Sequence, residues 1–205
     1  MTFYIACFFL VSCNSSKKEE NRKAFRYNES KGITTLDPAF ARRENEIRPI
    51  SQLFNGLLEM DDSLKIKPSV AKSWEISDDG TGYTFHLRND LYFHNHRLFP
   101  GGKGRKVNAN DFVYSFNRIL DPKIASPGLW IFSQVDTFQR NGFRALNDST
   151  FFIKLVRPFA SFLGLLTMPY CYVVPFEIAD HYGRDFRNNP VGTGPFMLKI
   201  WREGE

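Results

Sequence analysis

The chain has 205 residues, of which 42% are hydrophobic and 24% are charged, and this composition is typical of a globular protein. Its 27 Lys and Arg residues give a net charge of +5 but are scattered along the sequence, whereas nucleic-acid binding usually requires a concentrated basic stripe. The composition therefore argues against a disordered chain and against nucleic acid as a partner.

The first 23 residues have the pattern of an export and anchoring signal. The apolar stretch from Thr2 to Val11 is too short to cross a bilayer as a helix and suits a signal-peptide core, although no Lys or Arg precedes it. It runs into Leu-Val-Ser-Cys at 10–13, which resembles the bacterial lipobox. We expect a lipoprotein signal peptide at 1–12, lipidation of Cys13 and a polar tether at 13–23. The alternative is a buried element with an incidental thiol at Cys13.

Residues 24–205 alternate strand and helix patterns without internal repeats, which predicts an α/β domain with a mixed sheet and flanking helices. In the first half, the predicted elements are a strand at Ala24–Tyr27, a helix through Ile47, Ile50 and Phe54 that stops near Gly56, a hairpin turn at Asp61–Ser63, a helical turn at Pro68–Ala71, a strand at Trp74–Ile76 and a strand at Tyr83–Leu87.

The start of a central helix is marked at residues 108–111. Asn108 and Asp111 have the spacing of a capping box, in which each side chain binds the backbone N–H of the other residue. Behind them, Val113, Phe116 and Ile119 form an apolar stripe that ends at Asp121 and Pro122. This pattern predicts a helix with one core-facing side.

The second half repeats the alternation. Its predicted elements are a strand at Phe151–Leu155, a helix opened by Pro158, a short buried strand at Cys171–Val174, a helix at Pro175–Tyr182 closed by Gly183, and a strand at Phe196–Ile200. Cys171 lies in an apolar run and is expected in the core.

Several ordered blocks of the sequence resemble the family 5 extracellular solute-binding proteins, which are the dipeptide and oligopeptide receptors of ABC importers. The blocks are Leu36–Pro38, Gln52–Glu59, Pro68–Trp74, Tyr83–Arg88, Asp111–Phe116, Ile119–Pro122 and Asn189–Phe196. Because the blocks are many and follow in matching order, the resemblance is more specific than any single motif.

The resemblance implies a type II periplasmic-binding-protein-like fold, with the first lobe at 24–205 and the second lobe missing. It further implies a monomeric receptor in the periplasm or at the cell surface that captures a peptide or other small solute by clamshell closure. Delivery to ABC permease subunits would follow. Two alternatives stay open, namely a gene fragment without binding activity and a receptor of the same fold for a nickel complex, haem or another solute.

The resemblance also indicates three cleft-lining segments. The loop after Leu36–Pro38 supplies Phe40, Arg42 and Glu44; the segment at 125–130 supplies Gly128 and Trp130; and a third turn supplies Met168. For the first segment, the alternative is a solvated pair between Arg42 and Glu44. For Trp130, the alternative to stacking on a ligand is a place in the core.

Enzymatic, metal and phosphate sites receive little support from the sequence. His94 and His96 place two imidazoles on one side of an extended segment, but neither a cysteine nor a carboxylate stands near them as a third ligand. The glycine-rich stretches at 101–104 and 192–195 lack the Lys-Ser/Thr pair of a phosphate loop. Neither a nucleophile elbow nor a metalloprotease helix motif is present in the sequence. We therefore predict a binding protein without enzymatic activity, cofactor or resident metal.

Overall fold

The computed structural model describes residues 24–137 and 142–202. The signal peptide, Cys13 and the polar tether lie outside these residues. The chain divides into two units, one ending at Ser30 and one beginning at Lys31. Residues 24–29 have no regular secondary structure, so the predicted strand at Ala24–Tyr27 is wrong. An apolar pair such as Phe25 and Tyr27 does not make a strand unless a neighbouring strand pairs with it, and none does among the described residues.

A four-stranded antiparallel sheet is the centre of the larger unit. Its strand order is β3 (Ala71–Ile76), β4 (Gly82–Leu87), β6 (Thr150–Lys154) and β5 (Phe143–Asn147). The alternation predicted for β4 is confirmed, because Tyr83, Phe85 and Leu87 are buried while Thr84 and His86 are partly exposed. The strands predicted near Trp74 and Phe151 are confirmed as parts of β3 and β6, whereas β5 was not predicted.

The helix predicted behind residue 108 is confirmed as α2, Ala109–Leu120. Asn108 accepts a hydrogen bond from the N–H of Asn110, and the carboxylate of Asp111 accepts one from the N–H of Asn108. The buried face of the helix carries Phe112 and Phe116, whose rings lie 5.7 Å and 5.5 Å from the ring of Phe151 on β6. These rings form the core between helix and sheet.

A second, two-stranded antiparallel sheet consists of β1 (Leu58–Met60) and β2 (Ile66–Pro68), joined by the predicted turn at Asp61–Ser63. Before it, α1 spans Glu44–Leu53 and ends earlier than predicted, because Phe54 is already extended. The predicted helical turn at Pro68–Ala71 is wrong. Pro68 ends β2 and Ala71 begins β3, and the N–H groups of Ser69 and Ala71 both donate to the carbonyl of Leu57.

The second half of the chain is less regular than predicted. The helix expected after Pro158 is the single turn α3, Phe162–Leu165, whereas α4 is confirmed at Phe176–Tyr182 with Gly183 closing it at a φ of 52°. The strand predicted at 171–174 is not part of a sheet, because Cys171 ends a 3₁₀ turn while Tyr172 and Val173 pair with residues 56 and 55. The predicted strand at 196–200 is wrong, because these residues have no regular secondary structure, although the N–H of Phe196 donates to the carbonyl of Gln52. Cys171 is fully buried, as expected.

Candidate functional site

The loop after Leu36 is held in place by a buried ion pair. The carboxylate of Asp37 caps the 3₁₀ turn Pro38–Phe40 by accepting a hydrogen bond from the N–H of Ala39 at 3.0 Å. Its two oxygens also accept hydrogen bonds of 2.8 Å and 2.6 Å from the guanidinium of Arg118 on α2. This two-pronged pair fixes the start of the loop to the central helix.

Two further contacts bring the three predicted cleft segments together. The hydroxyl of Ser126 donates to the carbonyl of Ala39 at 2.6 Å and accepts from the N–H of Gly128 at 3.1 Å. Gly128 in turn lies against Tyr170, where a Cβ atom would come within 2.5 Å of the ring. The 3₁₀ turn Pro38–Phe40 also packs on the 3₁₀ turn Pro169–Cys171. We call the surface formed by 38–44, 125–130 and 168–170 the three-segment surface.

The predicted site residues are unequally exposed on this surface. Trp130 is 51% exposed, so its alternative placement in the core is wrong. Arg42 and Glu44 are exposed, and Phe40 and Met168 are half-buried with part of each side chain packed on the core. Gly128 is buried and serves the close packing with Tyr170. The surface thus exposes the indole of Trp130, parts of two apolar side chains and two charged groups.

The alternative of a solvated pair between Arg42 and Glu44 is wrong. Glu44 pairs with Arg48 one turn further along α1. The buried Glu46 instead accepts hydrogen bonds from the N–H groups of Arg42 and Arg43, at 3.0 Å and 3.1 Å. Burial alone would raise the pKa of Glu46, but these bonds and the hydroxyl of Thr34 outweigh it and lower the pKa.

The pKa of Tyr170, in the third segment, depends on its burial and on the charge of Arg42 in the first segment. Its pKa is raised because burial penalises the charged phenolate, while the positive charge of Arg42 acts in the opposite direction. Within the described residues, the segments 125–130 and 168–170 contribute no charged side chain of their own.

A surface pocket of about 300 Å³ lies beside the buried ion pair, between α2 and α4. Tyr114 and Asp180 stand in its wall and are joined by a hydrogen bond of 2.6 Å from the phenol to the carboxylate. Arg118 and Ile124 also line the pocket. Ile124 immediately precedes the segment 125–130 in the sequence, so the wall of the pocket continues directly into the second of the three segments.

The two histidines considered for a metal have separate partners. The Nε2 atom of His94 lies 2.8 Å from the carbonyl oxygen of Gly194, whereas the Nε2 atom of His96 lies 3.3 Å from the hydroxyl of Tyr182. Across 24–137 and 142–202, no three His, Cys, Asp or Glu side chains are grouped so as to hold a metal ion. The arrangement favours a structural role for both imidazoles.

Sequence reasoning missed three residues that build this surface. The side chains that hold the three segments together are those of Ser126, Tyr170 and Arg118. Arg118 carried a signal, since a cation on the apolar side of a predicted helix calls for a buried partner. The other two carried none, because their partners are distant in the sequence.

Among the described residues, no helix combines the length and the apolar character that are needed to cross a bilayer.

The fold agrees with that of periplasmic binding proteins. Over 85% of this chain and 35% of the other, it superposes with a TM-score of 0.75 and 28% sequence identity on the Haemophilus influenzae OppA complex with RPPGFSPFR. A mixed α/β domain of this kind, shared with solved peptide-bound receptors, defines the class as type II periplasmic binding proteins.

The chain belongs to the bacterial extracellular solute-binding proteins, family 5, whose middle-region model matches residues 65–205. Its relatives include the peptide transport periplasmic protein SapA of Salmonella typhimurium, 34% identical over 88% of this chain and 35% of the relative. They also include the Haemophilus influenzae heme-binding protein A, 32% identical over 97% of this chain and 40% of the relative. The chain thus spans between a third and two fifths of the length of these relatives. The family is one of binding proteins rather than enzymes, and several of its matched members are named as periplasmic proteins.

Proposed function

We propose that this protein captures a solute outside the cytoplasm, with a peptide as its principal ligand, and delivers it to the permease subunits of an ABC importer. The three-segment surface forms one wall of the binding cleft, and the opposite wall belongs to a second lobe. Closure of the two lobes about a hinge would enclose the ligand, so affinity would depend on contacts from both walls. The protein acts as a monomer and needs no cofactor.

The observation that carries this proposal is the convergence of three distant segments on a rigid base. The buried Asp37–Arg118 pair and the bond from Ser126 to Ala39 hold the segments in place, while Trp130 stays half exposed beside them. Large side chains held at the surface by a fixed scaffold are typical of ligand-contacting positions. The likeness to a receptor solved with a nonapeptide supports the peptide as ligand class.

The ligand class is tested by native mass spectrometry of the protein, expressed with any coding sequence that follows Glu205 and purified without denaturation. We expect co-purified peptides. Recovery of haem or a metal chelate alone would contradict the peptide assignment. The absence of any bound solute, together with no heat on titration with peptide libraries, would support the gene fragment instead.

The position of the cleft is tested by calorimetry of the variant Trp130→Ala. Loss of a stacking aromatic at a ligand contact is expected to weaken peptide binding by at least about tenfold, or about 1.4 kcal/mol. Tyr92→Ala is the matched control, because Tyr92 is equally exposed but lies outside the three-segment surface. Equal affinities of the two variants would place the cleft elsewhere.

We also propose that Cys13 anchors the mature protein to the membrane through acylation, behind the signal peptide at 1–12 and ahead of the tether at 13–23. Cys13→Ala is expected to release the protein from the membrane fraction and to remove the lipid mass from the mature chain. Cys7→Ala is the control, because residue 7 would be cleaved off with the signal peptide. If Cys13→Ala changed neither the partitioning nor the mature mass, the anchor would be excluded.

A further inference from the structure

We infer that the three-segment surface selects solutes that carry a carboxylate next to an apolar or aromatic group. This inference rests on the proposed function and adds to it the charge of the ligand. It follows from the way in which the structure distributes the arginines and glutamates of residues 42–48.

The two glutamates of this stretch are already engaged. Glu44 is paired with Arg48, so their charges compensate each other along α1. Glu46 is buried beneath the loop, where its carboxylate accepts two backbone hydrogen bonds and one from the hydroxyl of Thr34. Glu46 is therefore withdrawn from the surface, and the charge of Glu44, although exposed, is compensated by Arg48.

The arginines of the loop are presented differently. Arg42 and Arg43 are both exposed, and in the part of the chain that the structure describes neither guanidinium forms an ion pair within 4.0 Å. Glu46 partly compensates Arg43, since the charge of Arg43 is among the influences that lower the pKa of Glu46. The stretch 42–48 nevertheless contains three arginines and two glutamates, so an excess positive charge remains at the surface.

The rest of the three-segment surface does not offset this charge. Neither 125–130 nor 168–170 contains a carboxylate, and their exposed side chains are the apolar Leu129 and Trp130. The turn 38–40, from which the arginine loop continues, packs on the third segment and is bonded to Ser126 of the second, so the arginines follow directly on a turn that contacts both. A positive group next to an indole and a leucine complements a carboxylate that has an apolar neighbour.

The chemistry of arginine supports a carboxylate in particular. A guanidinium offers a planar fork of N–H groups that matches the two oxygens of a carboxylate, and it stays charged at every physiological pH. A cationic ligand would meet repulsion from the same groups. Peptides with a free carboxyl end, or with an acidic side chain in that place, provide the required group.

The test uses isothermal titration calorimetry with the tetrapeptide Ala-Ala-Phe-Ala and its carboxy-terminal amide as probes. The protein is expressed with any coding sequence that follows Glu205. We expect the free acid to bind about tenfold more tightly than the amide, the size of one good charge-assisted contact. This preference should shrink as sodium chloride is raised, because salt screens exposed charges.

The double variant Arg42→Gln, Arg43→Gln should lose most of the preference for the free acid over the amide. Arg144→Gln is the matched control, since Arg144 lies on Phe152 at the outer face of the sheet, and it should keep the full preference. Equal binding of acid and amide, or an unchanged preference in the double variant, overturns the inference and leaves peptide capture intact. If neither tetrapeptide binds while co-purified peptides are absent, peptide capture itself fails together with the inference.

Discussion

At the scale of single residues, the site depends on a close approach that only glycine allows. A Cβ atom at Gly128 would come within 2.5 Å of the ring of Tyr170, although the backbone there has an ordinary φ of −82°. The constraint is thus steric and not conformational. Any larger residue at this position would have to displace the tyrosine that joins the second segment to the third.

We predict that Gly128→Ala lowers the free energy of unfolding by about 1–3 kcal/mol, the usual range for an overpacked site. Gly164→Ala is the matched control, because a Cβ atom added in α3 meets nothing within 4 Å. It should leave stability unchanged or raise it slightly, since alanine favours helix by up to about 1 kcal/mol over glycine. Urea unfolding of both variants measures the difference, and equal stabilities would show that Tyr170 moves away at no cost.

The buried pair between Asp37 and Arg118 shows how one residue-scale contact sets the position of a whole segment. Both side chains are almost fully buried, and burial alone would lower the pKa of Arg118, but its hydrogen bonds with Asp37 outweigh this and raise the pKa. Such a pair contributes less to net stability than its contacts suggest, because desolvation of both charges opposes it. Its value lies in fixing the loop at 38–44 relative to α2.

At the scale of elements, the turn at 192–194 is fastened to the extended segment around residue 94. The N–H of His94 donates to the carbonyl of Gly192 at 2.8 Å, and its ring Nε2 lies at the same distance from the carbonyl of Gly194. Since a carbonyl only accepts, the imidazole must be protonated on Nε2. Burial lowers the pKa of His94, and the bond to Gly194 opposes the shift only in part.

This burial predicts a pH dependence of stability. The unfolded chain takes up a proton near the ordinary histidine pKa of about 6.5, while the folded chain resists it, so the free energy of unfolding should fall as the pH drops below that value. His94→Gln, which keeps a donor for Gly194, should give a flatter profile between pH 7.5 and pH 5. His86→Gln, on the solvent side of β4, is the control and should keep the slope of the unmodified protein. Parallel profiles for all three would exclude His94 as the source.

The sequence predicted those elements whose signals are local. The capping box of Asn108 and Asp111 located α2, and the period-two alternation of Tyr83, Phe85 and Leu87 located β4. Both signals lie within a few residues and need no knowledge of the partner. The hairpin turn between β1 and β2 was predictable for the same reason.

The elements that depend on distant partners were predicted poorly. Phe143–Asn147 forms β5 only because β6 pairs with it, whereas the run at 196–200 alternates like a strand but joins neither of the described sheets. For the site, the resemblance placed the three segments, but it could not show that Glu44 turns to Arg48 or that Trp130 stays at the surface. Those outcomes are decided by packing between residues far apart in the chain.

At the scale of the whole molecule, we propose that the described residues supply one wall of the binding cleft. The chain spans between a third and two fifths of the length of the relatives that it matches. A single wall gains only part of the contact area that a buried ligand needs, so capture would require a second wall that closes on it. We propose that Trp130 contacts the ligand and becomes buried when the two walls close on it.

The central claim, that the three-segment surface contacts the solute, is tested most directly by the fluorescence of Trp130 as the sole tryptophan. In the variant Trp74→Phe, Trp201→Phe, expressed with any coding sequence that follows Glu205 and with every tryptophan of that sequence also replaced by phenylalanine, addition of a peptide that calorimetry shows to bind should shift the emission to the blue. It should also protect the indole from acrylamide. Binding by calorimetry with unchanged emission and unchanged quenching would contradict the account.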